Sequence, residues 1–288
     1  MEFADQLKTL RKQAGLSQEQ LANRIYVSRQ AITKWENGAG RPEIENLIAL
    51  ADAFAVSMDT LLGITGTQNS GSNSGFRYEN TIHCDIDGTK HFDIDCGSLY
   101  SCTIRAYDGE QLRIRIASNT IANLAQHIKT SIDDGRKRID VAIKRGAGIS
   151  ETLAKEDVSV FLWMPQRYLA TMECAAKATE MSVRAISCEE LELDIRTQTL
   201  RLEDAHGHVE INCNLDMEID CATLDGRIDI NQLSATSHMT VPKNVPVALQ
   251  TRGIHTRTIA GTGVHNDENA PNIIELNGMN SELIVDVR

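Results

Sequence analysis

Residues 17–41, SQEQLANRIYVSRQAITKWENGAGR, decide how the first part of this chain folds. Ser17, with Gln20 three residues later, is a capping box, which begins a helix. Ser28 is a favourable N-cap for a second helix, and Gly38 is a residue type that ends one. The segment is therefore predicted to form two short helices joined by a tight turn.

The second of these helices has two chemically different faces when its residues are placed at about 100° intervals. One face suits a protein core and holds Ser28, Ala31, Ile32 and Trp35. The other face carries hydrogen-bond donors and mixed donor–acceptors without a carboxylate: Arg29, Gln30, Thr33, Lys34 and Asn37. Such groups can contact base edges and phosphates, so this face is a candidate nucleic-acid-binding surface.

Apolar residues at helical spacing predict three further helices around this pair. The first ends at Gly15, the fourth begins near Pro42, and a short fifth begins at Ser57. Their apolar stripes are Phe3, Leu7, Leu10 and Ala14; Ile44, Leu47, Ile48, Ala51 and Phe54; and Met58, Leu61 and Leu62. The sequence therefore predicts an all-α five-helix bundle over residues 1–64.

Residues 15–22 (GLSQEQLA), 27–38 (VSRQAITKWENG), 41–42 (RP) and 50–54 (LADAF) resemble the helix-turn-helix domain of the Xre family, the phage repressor and Cro type. The resemblance covers residues 3 to about 63 and implies binding to double-stranded DNA. It implies a phosphate contact and a supporting role for Gln18. It places Ser28, Arg29 and Gln30 at the end of the helix that enters the major groove, with Thr33 and Lys34 one turn further along the same face. Asn37 and Arg41 fall in the following loop, where members of the family contact backbone phosphates.

Tyr26 departs from the pattern of this resemblance. The turn between the two helices often has glycine there, because the position tends to need a positive φ angle. A tyrosine in left-handed backbone geometry costs about 1 kcal/mol. The departure therefore leaves the exact shape of the turn open, but not the fold.

Residues 65–75, TGTQNSGSNSG, have the composition of a flexible linker, with a root-mean-square span of about 18 Å. After them the apolar period changes from helical to alternating. Ile128–Ile132 and Ile139–Ile143 flank Asp133-Asp134-Gly135 and predict a hairpin. The domains are therefore predicted as 1–64, 65–75 for the linker and 76–288.

Short apolar i, i+2 groups then recur every eight to ten residues between Met172 and Ile230. His206-Gly207 and Asp225-Gly226 are predicted to mark turns between them. An antiparallel sandwich and a coiled stack are both compatible with such spacing. Regularity favours an all-β solenoid (β-helix-like), with two strands per turn of about twenty residues. Together with LWMP at 162–165, VPK at 241–243 and LNGMNSEL at 276–283, the ladder from 181 to 230 also resembles a bacterial family of adhesin-like β-solenoid domains.

The net charge of −11 is divided unevenly along the chain. Residues 1–65 have a net charge of −1 and the remainder −10, whereas residues 24–41 have +3. An acidic body is repelled by DNA phosphates, so the helix pair is the part suited to DNA. There is no secretory signal at the N-terminus, which predicts a cytoplasmic protein.

The C-terminal region offers few signs of chemistry. Its seven cysteines are irregularly spaced and are predicted to be free thiols, with Cys174, Cys213 and Cys221 as small core residues. His83, Cys84, His91, Cys96 and Cys102 lack the spacing of a zinc site. A redox-sensing cysteine pair stays open as an alternative. We predict no catalytic residues, no metal and no cofactor.

The sequence thus predicts a sequence-specific transcriptional regulator, a repressor that binds a two-half-site operator as a homodimer. The solenoid would supply the dimer contact or sense an unknown effector, and no membrane partner is expected. The alternative is a solenoid that binds a protein or ligand as a scaffold, with DNA binding serving autoregulation. An enzyme built on a β-helix would need converging carboxylates, which one sequence cannot show.

Overall fold

The structure is a computed structural model, and it describes residues 3–13, 16–38, 40, 42, 44–54 and 76–288. Two compact units divide the chain, one within Met1–Ser74 and one within Gly75–Arg288. The predicted linker lies outside the described residues, so the three domain boundaries stay a prediction. Among the described helices, none is both long and apolar enough to cross a membrane.

Four helices make up the described part of the first unit. They are α1 (Phe3–Gln13), α2 (Gln18–Arg24), α3 (Arg29–Glu36) and α4 (Ile44–Phe54). The predicted fifth helix at Ser57 falls outside the described residues. Both predicted caps are present: Ser17 Oγ accepts from the Gln20 backbone N–H at 3.1 Å, and Ser28 Oγ accepts from that of Ala31 at 3.1 Å. The capping signals therefore give the correct starts of α2 and α3.

A small apolar core holds these helices together. It contains Leu7, Leu21, Ala22, Ile25, Ile32, Trp35 and Leu50. Helix α3 contributes Ile32 and Trp35, as the helical wheel predicts, so the opposite face of α3 is left for solvent.

The turn between α2 and α3 has a strained backbone at Tyr26. Tyr26 has a φ of 58°, in the left-handed region. Its side chain is 95% exposed, so packing of the ring does little to offset a backbone cost of about 1 kcal/mol. The turn therefore keeps the positive φ that is typical of this position, although the residue is tyrosine.

The second unit is built mainly from strands that form one hydrogen-bonded sheet. The strands are β1 (Tyr78–Asp85), β2 (Lys90–Tyr107), β3 (Gln111–Ser118), β4 (Ile128–Asp134), β5 (Arg138–Arg145), β6 (Ser159–Pro165), β7 (Leu169–Arg196), β8 (Thr199–Asn212), β9 (Met217–Cys221), β10 (Asp225–Leu233), β11 (Thr236–Val241), β12 (Val247–Ile254), β13 (Arg257–Ala260), β14 (Asn272–Met279) and β15 (Glu282–Val287). Two short helices, α5 (Leu124–His127) and α6 (Glu151–Asp157), interrupt them. The antiparallel pair β4–β5 is the predicted hairpin.

Strands β7 to β11 pair with one another in parallel, with partners 18 to 20 residues apart. Leu200 pairs with Ile219, and Val209 pairs with Ile228. These apolar residues are all buried in one continuous core. The recurring i, i+2 groups of the sequence therefore place successive apolar side chains above one another.

The long strand β8 bends and pairs with a different strand on each side of the bend. The first part of β8 pairs with β9, and its second part pairs with β10. Asp204, with a φ of 53°, lies between the two parts. The turns predicted at His206-Gly207 and Asp225-Gly226 are wrong, because these residues pair with each other inside β8 and β10. Glycine there permits a positive φ within a ladder, which sequence inspection mistakes for a turn.

The last strands do not stack in chain order. Strand β14 lies between β10 and β12, although β12 comes earlier in the sequence. Likewise, β15 lies between β11 and β13. The C-terminal strands are thus covered on both edges by neighbours.

Candidate nucleic-acid interface

The outward face of α3 brings five of the predicted site residues together. Arg29, Gln30, Lys34 and Asn37 are exposed and Thr33 is half-buried. All five line one concavity of about 470 Å³. Because α3 is capped and packed on its other side, this polar face is held in a fixed orientation on the unit.

The other three predicted residues have different positions. Ser28 is exposed at the start of α3, where its hydroxyl caps the helix. Gln18 is half-buried and points its amide toward α3. Arg41 lies outside the described residues, so its predicted phosphate contact stays a prediction.

Gln18 belongs to a polar network behind α3. Its Nε2 donates to Glu36 Oε2 at 2.8 Å, and the Thr33 hydroxyl donates to Gln18 Oε1 at 3.2 Å. Arg11 completes the network, with its Nε 2.5 Å from Glu36 Oε1. The arrangement ties α1, α2 and α3 together and fixes the position of Thr33.

Sequence reasoning anticipates a supporting role for Gln18 but misses Arg11 and Glu36. One signal was present: Glu36 follows Ser28 and Ile32 at intervals of four, on the buried face of α3. A carboxylate on such a face has to be paired, because an unpaired buried charge is costly.

The network also shifts two pKa values. Burial acts to raise the pKa of the Glu36 carboxyl, but hydrogen bonds from Arg11 and Gln18, with the positive charges nearby, outweigh it and lower the pKa. The hydrogen bond to Glu36 raises the pKa of Arg11 against the opposing effect of burial. Both groups are therefore charged near neutral pH.

Arg29 keeps its freedom to contact a ligand. Its nearest described carboxylate is Glu19, with Oε2 3.9 Å from a guanidinium nitrogen, and both side chains are about two-thirds exposed. An exposed pair of this kind is worth at most about 1 kcal/mol. A phosphate or a base could therefore replace Glu19 at little cost.

Residues 7–61 match the family model described as Helix-turn-helix. The chain is 50% identical over 62 residues to the HTH-type transcriptional activator BcrR of Enterococcus faecalis, covering 22% of this chain and 30% of that protein. It is 36% identical over 70 residues to the cryptic phage CTXphi transcriptional repressor RstR of Vibrio cholerae, covering 24% of this chain and 62% of that protein. The Xre-type helix-turn-helix domain predicted from the sequence is therefore confirmed, and the chain spans less than two-thirds of either relative.

The second unit, called the β unit below, resembles solved structures of adhesin type. One is a candidate cell adhesion protein from Clostridium sporogenes, which is 9% identical with a TM-score of 0.39. The alignment covers 73% of this chain and all of that one.

Proposed function

We propose that the helix-turn-helix domain binds a double-stranded DNA operator, with the N-terminal end of α3 in the major groove. The observation that carries the proposal is the exposed, carboxylate-free face of α3. Arg29 and Gln30 are side chains suited to guanine and adenine edges. Thr33 and Lys34 continue the same face, and Asn37 follows at its end, where it would contact the DNA backbone.

The proposed role is transcriptional regulation, with the protein acting as a repressor. One recognition helix contacts few base pairs, so useful selectivity needs two helix-turn-helix domains on two half-sites. We propose that the β unit is a β-solenoid, which the parallel pairs about nineteen residues apart support. In this proposal it forms the homodimer and receives an effector.

The charge distribution supports this division of labour. The helix pair at 24–41 is locally basic, while the β unit carries most of the acidic excess. Phosphates would attract the first and repel the second, so the β unit would be held away from the duplex. With DNA as its partner, the protein would act in the cytoplasm.

The test compares binding to a footprinted operator with binding to a scrambled duplex of equal length. Arg29→Ala combined with Gln30→Ala should reduce the ratio of the two affinities by roughly tenfold or more, since each base contact is worth about 1–3 kcal/mol. Fluorescence anisotropy at a fixed salt concentration measures both affinities.

Arg24→Ala is the matched control, because Arg24 is an exposed cation at the end of α2 and off the α3 face. It should leave the ratio nearly unchanged while removing one positive charge. Equal discrimination by wild type and the double variant would refute base reading by Arg29 and Gln30.

A further inference from the structure

Three cysteines converge inside the β unit. Cys96 and Cys102 lie on β2 and Cys174 lies on β7, and their Sγ atoms are all within 4.8 Å of one another. They are 2%, 1% and 0% exposed. This group, called the cysteine triad below, is separate from the α3 face and has no part in the proposed DNA contact.

A local distortion of β2 contributes to the triad. Ile94 pairs directly with Cys174 on β7, but the register shifts between Asp95 and Gly97, which leaves Cys96 as the extra residue of a bulge. Gly97 has a φ of 64°, which permits the bend. A bulge redirects side chains, so Cys96 comes into reach of the other two thiols.

The other buried cysteines of the β unit are placed differently. Cys221 Sγ lies 2.9 Å from the carbonyl oxygen of Thr223, and Cys213 Sγ lies near the carbonyl oxygen of Leu215. Neither belongs to a group of three metal-ligating side chains in the described chain. They are small core residues, as the sequence predicts for these two, whereas the triad has a mutual geometry that simple packing does not require.

The triad thiols influence one another's protonation. Hydrogen bonds from Cys174 and Cys96 lower the pKa of Cys102 below that of an ordinary thiol. Hydrogen bonding with Cys102 is the main cause of the raised pKa of Cys96 and of Cys174, and burial raises both further.

We propose that the cysteine triad binds one soft, thiophilic ion through three thiolate ligands. Thiolates select soft ions, while Mg²⁺ and Ca²⁺ take oxygen ligands. At metal–sulfur distances of about 2.3 Å, three sulfurs in a plane around one ion lie roughly 4 Å apart. The observed separations of up to 4.8 Å therefore need only small side-chain movements.

The apolar surroundings favour ions of higher charge. All three cysteines belong to the main hydrophobic core, where residual charge is costly. Three thiolates leave a net charge of −1 with a divalent ion and none with trivalent arsenic. A divalent ion releases to solvent the protons that the thiols still carry. Arsenous acid forms three As–S bonds, and its three hydroxyl groups leave as water with the three thiol protons.

A route to the triad starts from the outer side of the same strands. A concavity of about 990 Å³ is lined by Asp95 and Gly97, the neighbours of Cys96, and by Ala175 and Ala176, which follow Cys174. Gly97, Ala175 and Ala176, which carry no side chain or only a methyl group, line the groove at this point. The bulge weakens the ladder here, so local opening would admit an ion.

The experiment uses reduced full-length protein carrying Cys84→Ser and Cys188→Ser, which removes the two partly buried thiols. Cd²⁺ and arsenite are titrated separately in excess Mg²⁺. Thiolate-to-cadmium absorption and native mass spectrometry report binding. We expect one ion per chain, and Cys102→Ala or Cys174→Ala should weaken binding roughly 100-fold or more.

Cys221→Ala is the matched control, because it removes an equally buried thiol outside the triad. It should keep the affinity and the stoichiometry of its parent. Uptake of arsenite alone would restrict the site to trivalent ions, and uptake of both would extend it to divalent ones. No binding by the folded parent, signal only after denaturation, or equal affinity in the folded Cys102→Ala and Cys174→Ala variants would overturn the proposal.

Discussion

Glu36 is a charged residue inside the first unit, called the helical unit below, with only 6% of its surface exposed. Arg11 and Gln18 satisfy its carboxylate, and through Gln18 the network reaches Thr33 on the candidate DNA-binding face. The face of α3 is therefore positioned by side chains that do not themselves face outward. A change at Glu36 should alter that face without removing any group from it.

Replacing Glu36 with glutamine should destabilise the helical unit by about 3 kcal/mol, because a buried guanidinium loses its charged partner. Thermal unfolding followed by the helical circular dichroism signal measures the change. Glu19→Gln is the control, since Glu19 is exposed, and it should shift stability by less than about 0.5 kcal/mol. Equal effects of the two substitutions would contradict the proposed importance of the network.

The free energy of unfolding should depend differently on pH in wild type and in Glu36→Gln. The folded-state pKa of Glu36 lies below its ordinary value of 4.5. The stabilisation by the charged form is therefore complete above the unfolded-state pKa and is lost as the pH falls through the folded-state value. The stability difference between wild type and Glu36→Gln should accordingly shrink below pH 4.5.

Among the elements, the parallel ladder of β8 and β10 depends on paired glycines. Gly207 and Gly226 are opposite each other, with φ angles of 107° and 125°. A Cβ at Gly226 would lie 2.5 Å from the carbonyl oxygen of Gly207. The ladder can therefore hold this close approach only while position 226 lacks a side chain.

Gly226→Ala should destabilise the β unit by at least about 2 kcal/mol, since backbone strain of about 1–3 kcal/mol is joined by a steric clash. Gly88→Ala is the control, because a Cβ there meets open space. Denaturant unfolding of the full chain, followed by a β-sheet signal, would separate the two. A Gly226→Ala variant as stable as Gly88→Ala would show that the ladder relaxes around the methyl group.

At the scale of the whole molecule, the proposed dimer predicts how affinity depends on the number of half-sites. The full chain should bind a two-half-site duplex roughly 100-fold or more tightly than a one-half-site duplex, because the second contact becomes intramolecular. Residues 1–66 alone, checked for helical structure by circular dichroism, should show a much smaller ratio. Binding titrations at equal salt concentration give both ratios.

The one-half-site duplex serves as the internal control. On it, the full chain should gain nothing over residues 1–66, because the acidic β unit adds only repulsion. Identical ratios for the two proteins would remove the dimer role from the β unit and leave dimerisation, if any, to the helical unit.

Features that depend on neighbouring residues could be predicted from the sequence. The caps at Ser17 and Ser28 and the inward positions of Ile32 and Trp35 follow from short-range geometry. The apolar groups between Met172 and Ile230 likewise fix which side chains enter the β core. Local periodicity decides these features, because it sets the direction of each side chain before any distant contact forms.

Which distant segments meet became visible only in the folded structure. It brought Arg11 to Glu36, inserted β14 between β10 and β12, and placed Cys174 against Cys96 and Cys102. The bulge at Cys96 and the two turns wrongly predicted at Gly207 and Gly226 show the same limit. A side-chain period is the same for every possible strand partner, so register and stacking order are selected by the summed packing of the folded chain.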